Sequence, residues 1–527
     1  MSEHNENSHH DMSGDMGSRG VTRPMMKMDE EKKDDHKNAE DGKSNMQHED
    51  HKMNMQDMEM SMDQRKQMLH MHHMQTLWIY WMIILLGCWM ILFPLTFSYA
   101  KGVVVPSGGR EVWLSLADRI SVMKWGDIIS GVLLVFFGFR SLVPDRPVSG
   151  WICCFIGVYL SIAPVVFWSP TAAGYLNDTF VGILVVSLTV LIPGMPNMIM
   201  YMKMGSEVPQ GWSYNPSSWA QRWIMIALGF LGFVVSRYLA AFQFGYIDSM
   251  WDPFFGNSSE QVLNSTMSHS LPVSDAGVGA LAYTFEFLMG FMGSPSRWRT
   301  MPWMVALFGI LVIPLGLVHI FLVISQPITV GAWCTFCLCA ACIMLPMIPL
   351  EIDEVVAMCQ HTFQATRKGE KFWDVFWKGG KPVEMNKDER SPELMELSNN
   401  FGKVFKASVW GMSAPWTLVL SAVIGVVLIV LPTSFGVAMK ASLADINHLC
   451  GSLIVVVAVI SMGEVVRVGR YLNGLLGLAV AIMPWIMADG ETTLKIIDTA
   501  AGVVVAALSL PRGVKKEQYG LWDKYVF

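Results

Sequence analysis

Cys334 and Cys337 form a Cys-x-x-Cys pair at the start of an apolar run that continues to Leu350. In a helix, this spacing puts both sulfur atoms on one face and within reach of a disulfide. A thiol at a helix N-terminus also lies at the positive end of the helix dipole, which favours the reactive thiolate. At a membrane boundary, such a pair suits electron exchange between a soluble thiol and a lipid-soluble acceptor. The motif therefore predicts a membrane thiol–disulfide oxidoreductase.

A second pair, Cys339 and Cys342, follows directly, so that four cysteines fall within nine residues. Such a cluster could hold zinc or an iron–sulfur centre. At about 100° of rotation per helical residue, however, the two pairs face different directions. We therefore expect no bound metal in the core. The second pair then either packs as small residues or serves as a deeper electron relay.

The elements that carry these cysteines are predicted to be membrane helices. The chain has 527 residues, of which 52% are hydrophobic and only 16% are charged, whereas a soluble protein has about a quarter charged residues. Runs of about 20 apolar residues recur along it, which indicates membrane spans. The sequence thus predicts an all-α polytopic membrane protein with about twelve spans. They are expected near 77–99, 125–143, 149–168, 180–198, 221–241, 277–292, 302–325, 331–350, 414–432, 447–465, 472–487 and 493–510.

An even number of spans places residues 1–75, 351–412 and 511–527 on one side of the membrane. Short connections on that side are rich in Lys and Arg, although the loop 100–124 on the other side carries four basic residues. The positive-inside rule makes the first side cytoplasmic. Both termini and the linker 351–412 are then cytoplasmic, and Cys334 lies at the outer face, where disulfides are permitted. These features predict a protein of the bacterial inner membrane, in contact with lipid and not with nucleic acid.

A repeated pattern flanks the central spans. A glycine precedes a proline by seven residues, and the next span carries Asp or Asn four residues before another glycine. The four units are Gly87/Pro94 with Asp127/Gly131, Gly157/Pro164 with Asp178/Gly182, Gly425/Pro432 with Asn447/Gly451, and Gly477/Pro484 with Asp498/Gly502. We expect each unit to be a two-helix hairpin in which proline ends the outgoing helix and the polar residue caps the returning one. The glycines should let the two helices approach closely.

These hairpins resemble the SPW repeat, as in APVVFW (163–168) and MPW (483–485). The resemblance implies architecture only, because it carries no activity that can be transferred. Two hairpins are predicted in 77–200 and two in 413–510. They flank a block without repeats at 221–350, which suggests a functional module inside a scaffold.

Residues 251–345 resemble the vitamin K epoxide reductase family in three separate stretches. These are SEQVLNS (259–265), DAGVGALAYTFEFLMG (275–290) and WCTFC (333–337). The resemblance implies a four-helix domain over 221–350, with an outer loop after its first helix and the redox pair at the start of its fourth. It also implies electron transfer between a thioredoxin-like protein outside the cytoplasm and a quinone of the ubiquinone or menaquinone type.

The resemblance further implies a quinone site next to the cysteines. Asp275 or Ser265 would hydrogen-bond a quinone carbonyl. The apolar wall would come from Trp333, Phe336 and Tyr283. Glu286, in the middle of the same predicted helix as Tyr283, is either a proton acceptor for quinone chemistry or a protonated residue bonded to a neighbouring helix.

The electron path is expected to begin at Cys334, the more exposed thiol, which would form a mixed disulfide with the partner. Cys337, one turn deeper, would then meet the quinone. Many members of the family have two loop cysteines that deliver electrons to this pair. Residues 242–279 contain no cysteine, and Ser259 stands where one is expected. The partner must therefore reach Cys334 directly, or the oxidase cycle has been lost.

The N-terminal tail suggests a different class of function. Residues 1–75 hold nine of the 13 histidines and 15 of the 40 methionines. Imidazoles and thioethers bind Cu(I), so a non-enzymatic protein for copper handling or transport is the alternative. A polar, disordered cytoplasmic tail with incidental metal affinity is the simpler interpretation.

Overall fold

In the computed structural model, the described residues are 62–144, 146–191, 206–381, 385–393, 400–487 and 491–526. They form helices joined by loops, and ten of these helices are long and apolar enough to cross a membrane. The chain is an all-α polytopic membrane protein, as predicted. The remaining two predicted spans correspond to helices of 17 residues, Asp275–Phe291 and Thr492–Leu508, so a total of twelve stays a prediction. The tail on which the copper hypothesis rests lies outside the described residues up to position 61.

The first five helices precede the central block. They are α1 (Met62–Gln75), α2 (Leu77–Thr96), α3 (Leu116–Ser141), α4 (Pro147–Val166) and α5 (Ala172–Val186). Helix α2 packs against α3, and α4 packs against α5, so the predicted N-terminal hairpins form. Contacts between α3 and α4 join the two hairpins.

The central block contains four long helices and several short ones. They are α6 (Trp219–Gln243), α7 (Ser258–Leu263), α8 (Asp275–Phe291), α9 (Arg297–Thr300), α10 (Pro302–Val330) and α11 (Thr335–Arg367). Helix α6 packs against α8 and α11, and α10 packs against α11. Helix α11, which follows the redox pair, continues 17 residues past the predicted boundary at 350, with Pro346 and Pro349 inside it.

The remaining helices form the linker and the C-terminal hairpins. They are α12 (Phe372–Lys378), α13 (Phe401–Ser408), α14 (Trp416–Ser434), α15 (Ser442–Ile460), α16 (Tyr471–Met487) and α17 (Thr492–Leu508). Helix α14 pairs with α15 and α16 pairs with α17, while α15 also packs against α11. The C-terminal hairpins therefore contact the helix that carries the redox pair.

The predicted glycines face each other inside every hairpin. A Cβ atom added to Gly425 would lie 2.7 Å from the carbonyl oxygen of Gly451, and one added to Gly87 would lie 2.8 Å from that of Gly131. The other two hairpins place Gly157 against Gly182 and Gly477 against Gly502 in the same way. These distances are shorter than real Cβ contacts, so the backbones approach as closely as glycine allows.

Two details of the hairpin prediction are wrong. The prolines do not end the outgoing helices, which continue two or three residues further because a proline in the last turns removes few hydrogen bonds. The polar residues do not cap the returning helices, which begin earlier. Residues 115, 171, 441 and 491 precede these helices, and the polar residues lie inside them.

The buried polar residues instead join hairpins in pairs. Tyr99 donates its hydroxyl to Asp127 at 2.6 Å and lies 3.4 Å from Asp178. In the C-terminal half, the Asn447 amide donates to Asp498 at 3.1 Å. Because both members of each pair are buried, hydrogen bonds between hairpins compensate for their loss of hydration.

Candidate redox site

Cys334 and Cys337 are joined by a disulfide, with their Cα atoms 5.2 Å apart. Cys334 is the N-cap of α11, and its sulfur accepts a hydrogen bond from the Cys337 amide at 3.1 Å. The predicted placement of the pair at a helix N-terminus is therefore confirmed. The N–H groups of a first helical turn give this position a positive potential.

The expectation that Cys334 is the more exposed thiol is wrong. Its residue exposure is 0%, whereas that of Cys337 is 8%. Cys334 lies in an apolar cluster with Leu239, Met250 and Val262. Loop residues after α6 thus help to cover the sulfur, which sequence periodicity within α11 does not reveal.

A polar latch holds this loop against the first turn of α11. The Ser259 hydroxyl accepts from the Thr335 amide at 3.1 Å and donates to the Asp252 carboxylate at 2.5 Å. The Thr335 hydroxyl donates to the other oxygen of Asp252, also at 2.5 Å. Ser259, which stands where a loop cysteine was expected, is completely buried. We call Asp252, Ser259 and Thr335 the latch.

Asp252 is the charged member of the latch. Its carboxylate also accepts from the backbone amides of Phe254 at 3.1 Å and Phe255 at 2.9 Å. Partial burial opposes ionisation, but the bonds from Ser259, Thr335 and these amides outweigh it and lower the pKa of Asp252 to about 2. Asp252 is therefore a carboxylate throughout the physiological pH range.

The aromatic residues of the predicted quinone wall point in different directions. The centroid of the Phe336 ring lies 4.9 Å from that of Tyr238 and 6.4 Å from that of Trp251, so the ring sits between α6 and the loop that follows it. Trp333 instead packs edge-on against His448 of α15, with 5.8 Å between ring centroids. The structure therefore places Phe336 in the apolar cluster around the disulfide, and Trp333 at the contact with the C-terminal hairpins.

Asp275 and Ser265 belong to one polar group at the N-terminal end of α8. Asp275 accepts from the Ser268 hydroxyl at 2.9 Å and from the side-chain amide of Gln243. Ser268 also donates its backbone amide to Ser265, whose own hydroxyl bonds to the Val262 carbonyl at 2.6 Å. Because Ala276 contacts the cluster around the disulfide, this group lies at the edge of that cluster.

Tyr283 and Glu286 lie deeper along α8. The buried Tyr283 hydroxyl donates to the Ala340 carbonyl, one turn past Cys337, at 2.8 Å. Neither carboxylate oxygen of Glu286 has a hydrogen-bond partner within the described parts of the chain, although the side chain is 1% exposed. Tyr283 and Glu351 lie within electrostatic range of it. The expected bond from a protonated Glu286 to a neighbouring helix is thus not seen among these residues.

The second cysteine pair lies on another face of α11. Cys339 and Cys342 are exposed, whereas Cys334 and Cys337 are buried. The expected divergence of the two pairs is confirmed. Because both side chains are exposed on the surface of a membrane helix, the expected packing of these two cysteines inside the protein is not observed.

Sequence reasoning missed Asp252, Gln243 and Gln326. Gln326 accepts from the Cys334 amide at 3.2 Å, and Gln243 connects Asp275 with Ser268 and Ser274. Each is a polar residue at or just beyond the end of an apolar run, which is a weak signal shared by many surface residues. Only the tertiary packing shows that Asp252 and Gln326 lie beside the redox pair and that Gln243 joins the polar group at the edge of its apolar cluster.

The fold and the site define an integral membrane protein with a disulfide centre at the start of a long helix. Residues 223–352 match the vitamin K epoxide reductase family, and residues 407–511 match the SPW repeat domain. Both resemblances inferred from the sequence are thereby confirmed for these segments. The first match supports an oxidoreductase activity for the segment that holds Cys334 and Cys337. No curated protein and no solved structure matches the chain.

Proposed function

We propose that this protein transfers electrons from a protein dithiol to a quinone through Cys334 and Cys337. The observation that carries the proposal is their disulfide at the N-terminus of α11, inside the segment that matches a quinone-associated reductase family. The acceptor is a quinone of the ubiquinone or menaquinone type. The donor is a thioredoxin-like protein outside the cytoplasm.

The exchange is balanced in atoms and electrons. A thiolate of the partner attacks Cys334, which breaks the Cys334–Cys337 bond and leaves Cys337 as the thiolate. The second partner thiol then resolves the mixed disulfide, so that the partner is oxidised and both cysteines are reduced. Reoxidation re-forms their disulfide and delivers two electrons and two protons to the quinone.

The surroundings of the disulfide fit a quinone. Leu239, Phe242 and Val323 contribute to an apolar cluster with both cysteines, and quinone sites combine such walls with a few polar groups. Asp275 and Ser265 supply the polar edge. The Asp275 side chain can accept a hydrogen bond from a hydroxyl of the reduced acceptor, whereas Ser265 already donates its hydroxyl to Val262.

Phe336 forms the proposed wall nearest to the disulfide, with Trp333 and Tyr283 outside it. We propose Glu286 as the proton acceptor that takes a proton released by the dithiol and passes it on to the reduced quinone. A buried membrane carboxylate is costly, and Glu286 has no hydrogen-bond partner among the residues that the structure describes, which favours a functional role. Its position next to Tyr283 connects it with α11 one turn past Cys337.

The proposed orientation follows from charge. Both termini and the linker 351–412 face the cytoplasm of a bacterial inner membrane, and the disulfide faces outward. This places the centre where thioredoxin-like oxidants and reductants meet their substrates.

A thiol-trapping gel shift on native membranes tests the function. The redox state of the pair is followed in the wild type after quinone depletion and after quinone is restored. We expect the pair to accumulate as dithiols without quinone and to re-form the disulfide with it. Cys334→Ala and Cys337→Ala should each abolish this response, whereas Cys342→Ala, on the exposed face of the same helix, should retain it.

The result that would overturn the proposal is a pair of thiols that stays reduced and indifferent to quinone. Loss of the response in Cys342→Ala as well would assign the chemistry to a larger set of cysteines. The proposed electron transfer does not require the histidine- and methionine-rich tail, so deletion of residues 1–61 should leave the response to quinone intact.

A further inference from the structure

The latch connects two segments that are 76 residues apart in sequence and meet beside Cys334. Ser259 comes from α7, Asp252 from the preceding loop and Thr335 from the first turn of α11. The Asp252 carboxylate thus accepts hydrogen bonds from both the serine and the threonine hydroxyls. The serine hydroxyl also accepts a hydrogen bond from the first amide of α11. Charge-assisted bonds of this length are the stronger kind.

The latch contributes to the burial of Cys334, together with apolar residues of α6 and α10. Cys334 is the N-cap of the same helical turn, so the loop is held to the residue next to it. Met250 and Val262, on either side of the latch, contact the apolar cluster that contains Cys334. Release of the latch would free the loop residues Met250 and Val262, which help to cover this sulfur.

The latch also places a negative charge at the positive end of α11. The helix dipole stabilises a negative charge at this position. The same charge opposes the formation of a second negative charge on the neighbouring sulfur. Because the bonds to Asp252 hold its pKa near 2 against the cost of burial, this charge is constant wherever a thiol titrates. The latch therefore has both a steric and an electrostatic effect on Cys334.

We propose that Asp252 is a positioning residue that controls the reactivity of Cys334, by fixing the loop over the sulfur and by disfavouring its thiolate. This inference rests on the proposed dithiol chemistry for its biological meaning. Its physical content concerns one thiol and can be measured without a quinone or a partner. Failure of the inference can therefore be distinguished from failure of the proposed function.

The test measures alkylation of Cys334 against pH in the full chain, reduced and in detergent. Cys337→Ala is the common background, so that Cys334 is the single thiol of the centre, and peptide mass spectrometry separates it from the other cysteines. The limiting rate at high pH reports how often the loop opens. The midpoint pH reports how easily the thiolate forms.

In Asp252→Asn, the limiting rate should rise by about tenfold, as expected for the loss of about 1.4 kcal/mol of charge-assisted bonding. The midpoint should fall by about one pH unit, because a nearby negative charge is removed. Ser259→Ala retains the charge, so it should raise the limiting rate without lowering the midpoint. Asp248 is an exposed acidic residue of the same loop and makes no hydrogen bond to α11 among the described residues. Asp248→Asn should therefore change neither the limiting rate nor the midpoint.

An unchanged rate and midpoint in Asp252→Asn would overturn the inference. A higher rate with an unchanged midpoint would overturn the electrostatic role and leave only a hydrogen-bond anchor. Thr335→Val guards against misfolding of the asparagine variant, since it removes one bond to Asp252 while the charge and the serine remain. It should raise the limiting rate alone, and an equal midpoint shift in Thr335→Val would contradict the role of the charge.

Discussion

At the scale of single residues, Ser259 has the most informative position. Many members of the family that the sequence resembles have a redox cysteine at the equivalent position. In this chain the Ser259 hydroxyl bonds to Asp252 and to the Thr335 amide instead. The hydroxyl cannot exchange electrons, so the position contributes to the structure of the site and not to electron delivery. In the proposed exchange, the partner therefore reacts with the pair itself once the loop moves.

The position of Ser259 predicts a new crosslink. In the Cys337→Ala background, Ser259→Cys should form a disulfide with Cys334, because the Ser259 oxygen lies 3.1 Å from the amide of the residue that follows Cys334. Non-reducing peptide mapping after mild oxidation detects this bond. Ser258→Cys is the matched control and should form little of it. A crosslink at 258 in preference to 259 would contradict the observed orientation of α7.

At the scale of elements, the hairpins depend on glycine pairs in facing helices. The pairs occur at equivalent positions in all four hairpins, and each removes two side chains from the helix crossing. Close backbone approach increases van der Waals contact, which stabilises helix pairs where lipid provides no hydrophobic driving force. The shared geometry extends the likeness between the two halves beyond residues 407–511, where the SPW repeat domain matches.

Gly425→Ala tests the importance of this contact. The new methyl group would lie 2.7 Å from the Gly451 oxygen and 2.8 Å from Val455, so α14 and α15 must separate. We expect a loss of about 1–3 kcal/mol, the usual cost of overpacking, and a lower thermal unfolding temperature in detergent. Gly150→Ala has no atom within 4 Å of the new carbon and should leave that temperature unchanged or raise it. Equal effects of the two substitutions would show that the crossing does not limit stability.

At the scale of the whole molecule, the two hairpin pairs contact different segments of the redox site. From the N-terminal pair, Arg110 donates to the carbonyls of Leu271 at 2.6 Å and Val273 at 2.9 Å, and Trp168 donates to Pro272 at 3.0 Å. From the C-terminal pair, His448 packs against Trp333 beside the disulfide. One pair therefore holds the segment before Asp275, and the other holds the start of α11.

Arg110→Ala should loosen the segment 264–275 without unfolding the protein. The substitution leaves two carbonyls without their charged donor, and bonds to charged groups contribute about 1.5–3 kcal/mol each. Hydrogen exchange of this segment should accelerate by about tenfold or more, while exchange in α11 stays slow. Lys101→Ala, an exposed basic residue in the same connection, provides the control. Unchanged exchange in Arg110→Ala would mean that the hairpins do not support the site.

Much of the architecture could be predicted because its causes are local. Runs of apolar residues indicate helices in lipid, and the CxxC spacing puts Cys334 and Cys337 on one helical face. The glycine pairs were recognisable because the same pattern occurs four times. The capping prediction failed because a polar residue inside a membrane helix resembles an N-cap in sequence, and only its partner distinguishes the two. Asp127 bonds to Tyr99 in the turn after α2, and Asn447 bonds to Asp498 of α17.

The sequence by itself determined the helical class, the hairpin scaffold and the location of the redox pair, since each depends on the order of neighbouring residues. The tertiary structure alone decided that Cys334 is buried, that Asp252 and Ser259 hold the loop over it, and that Trp333 faces the C-terminal hairpins. These properties depend on which distant segments meet in space. Burial and hydrogen bonding at the site are therefore set by packing between helices and loops, which no local pattern encodes.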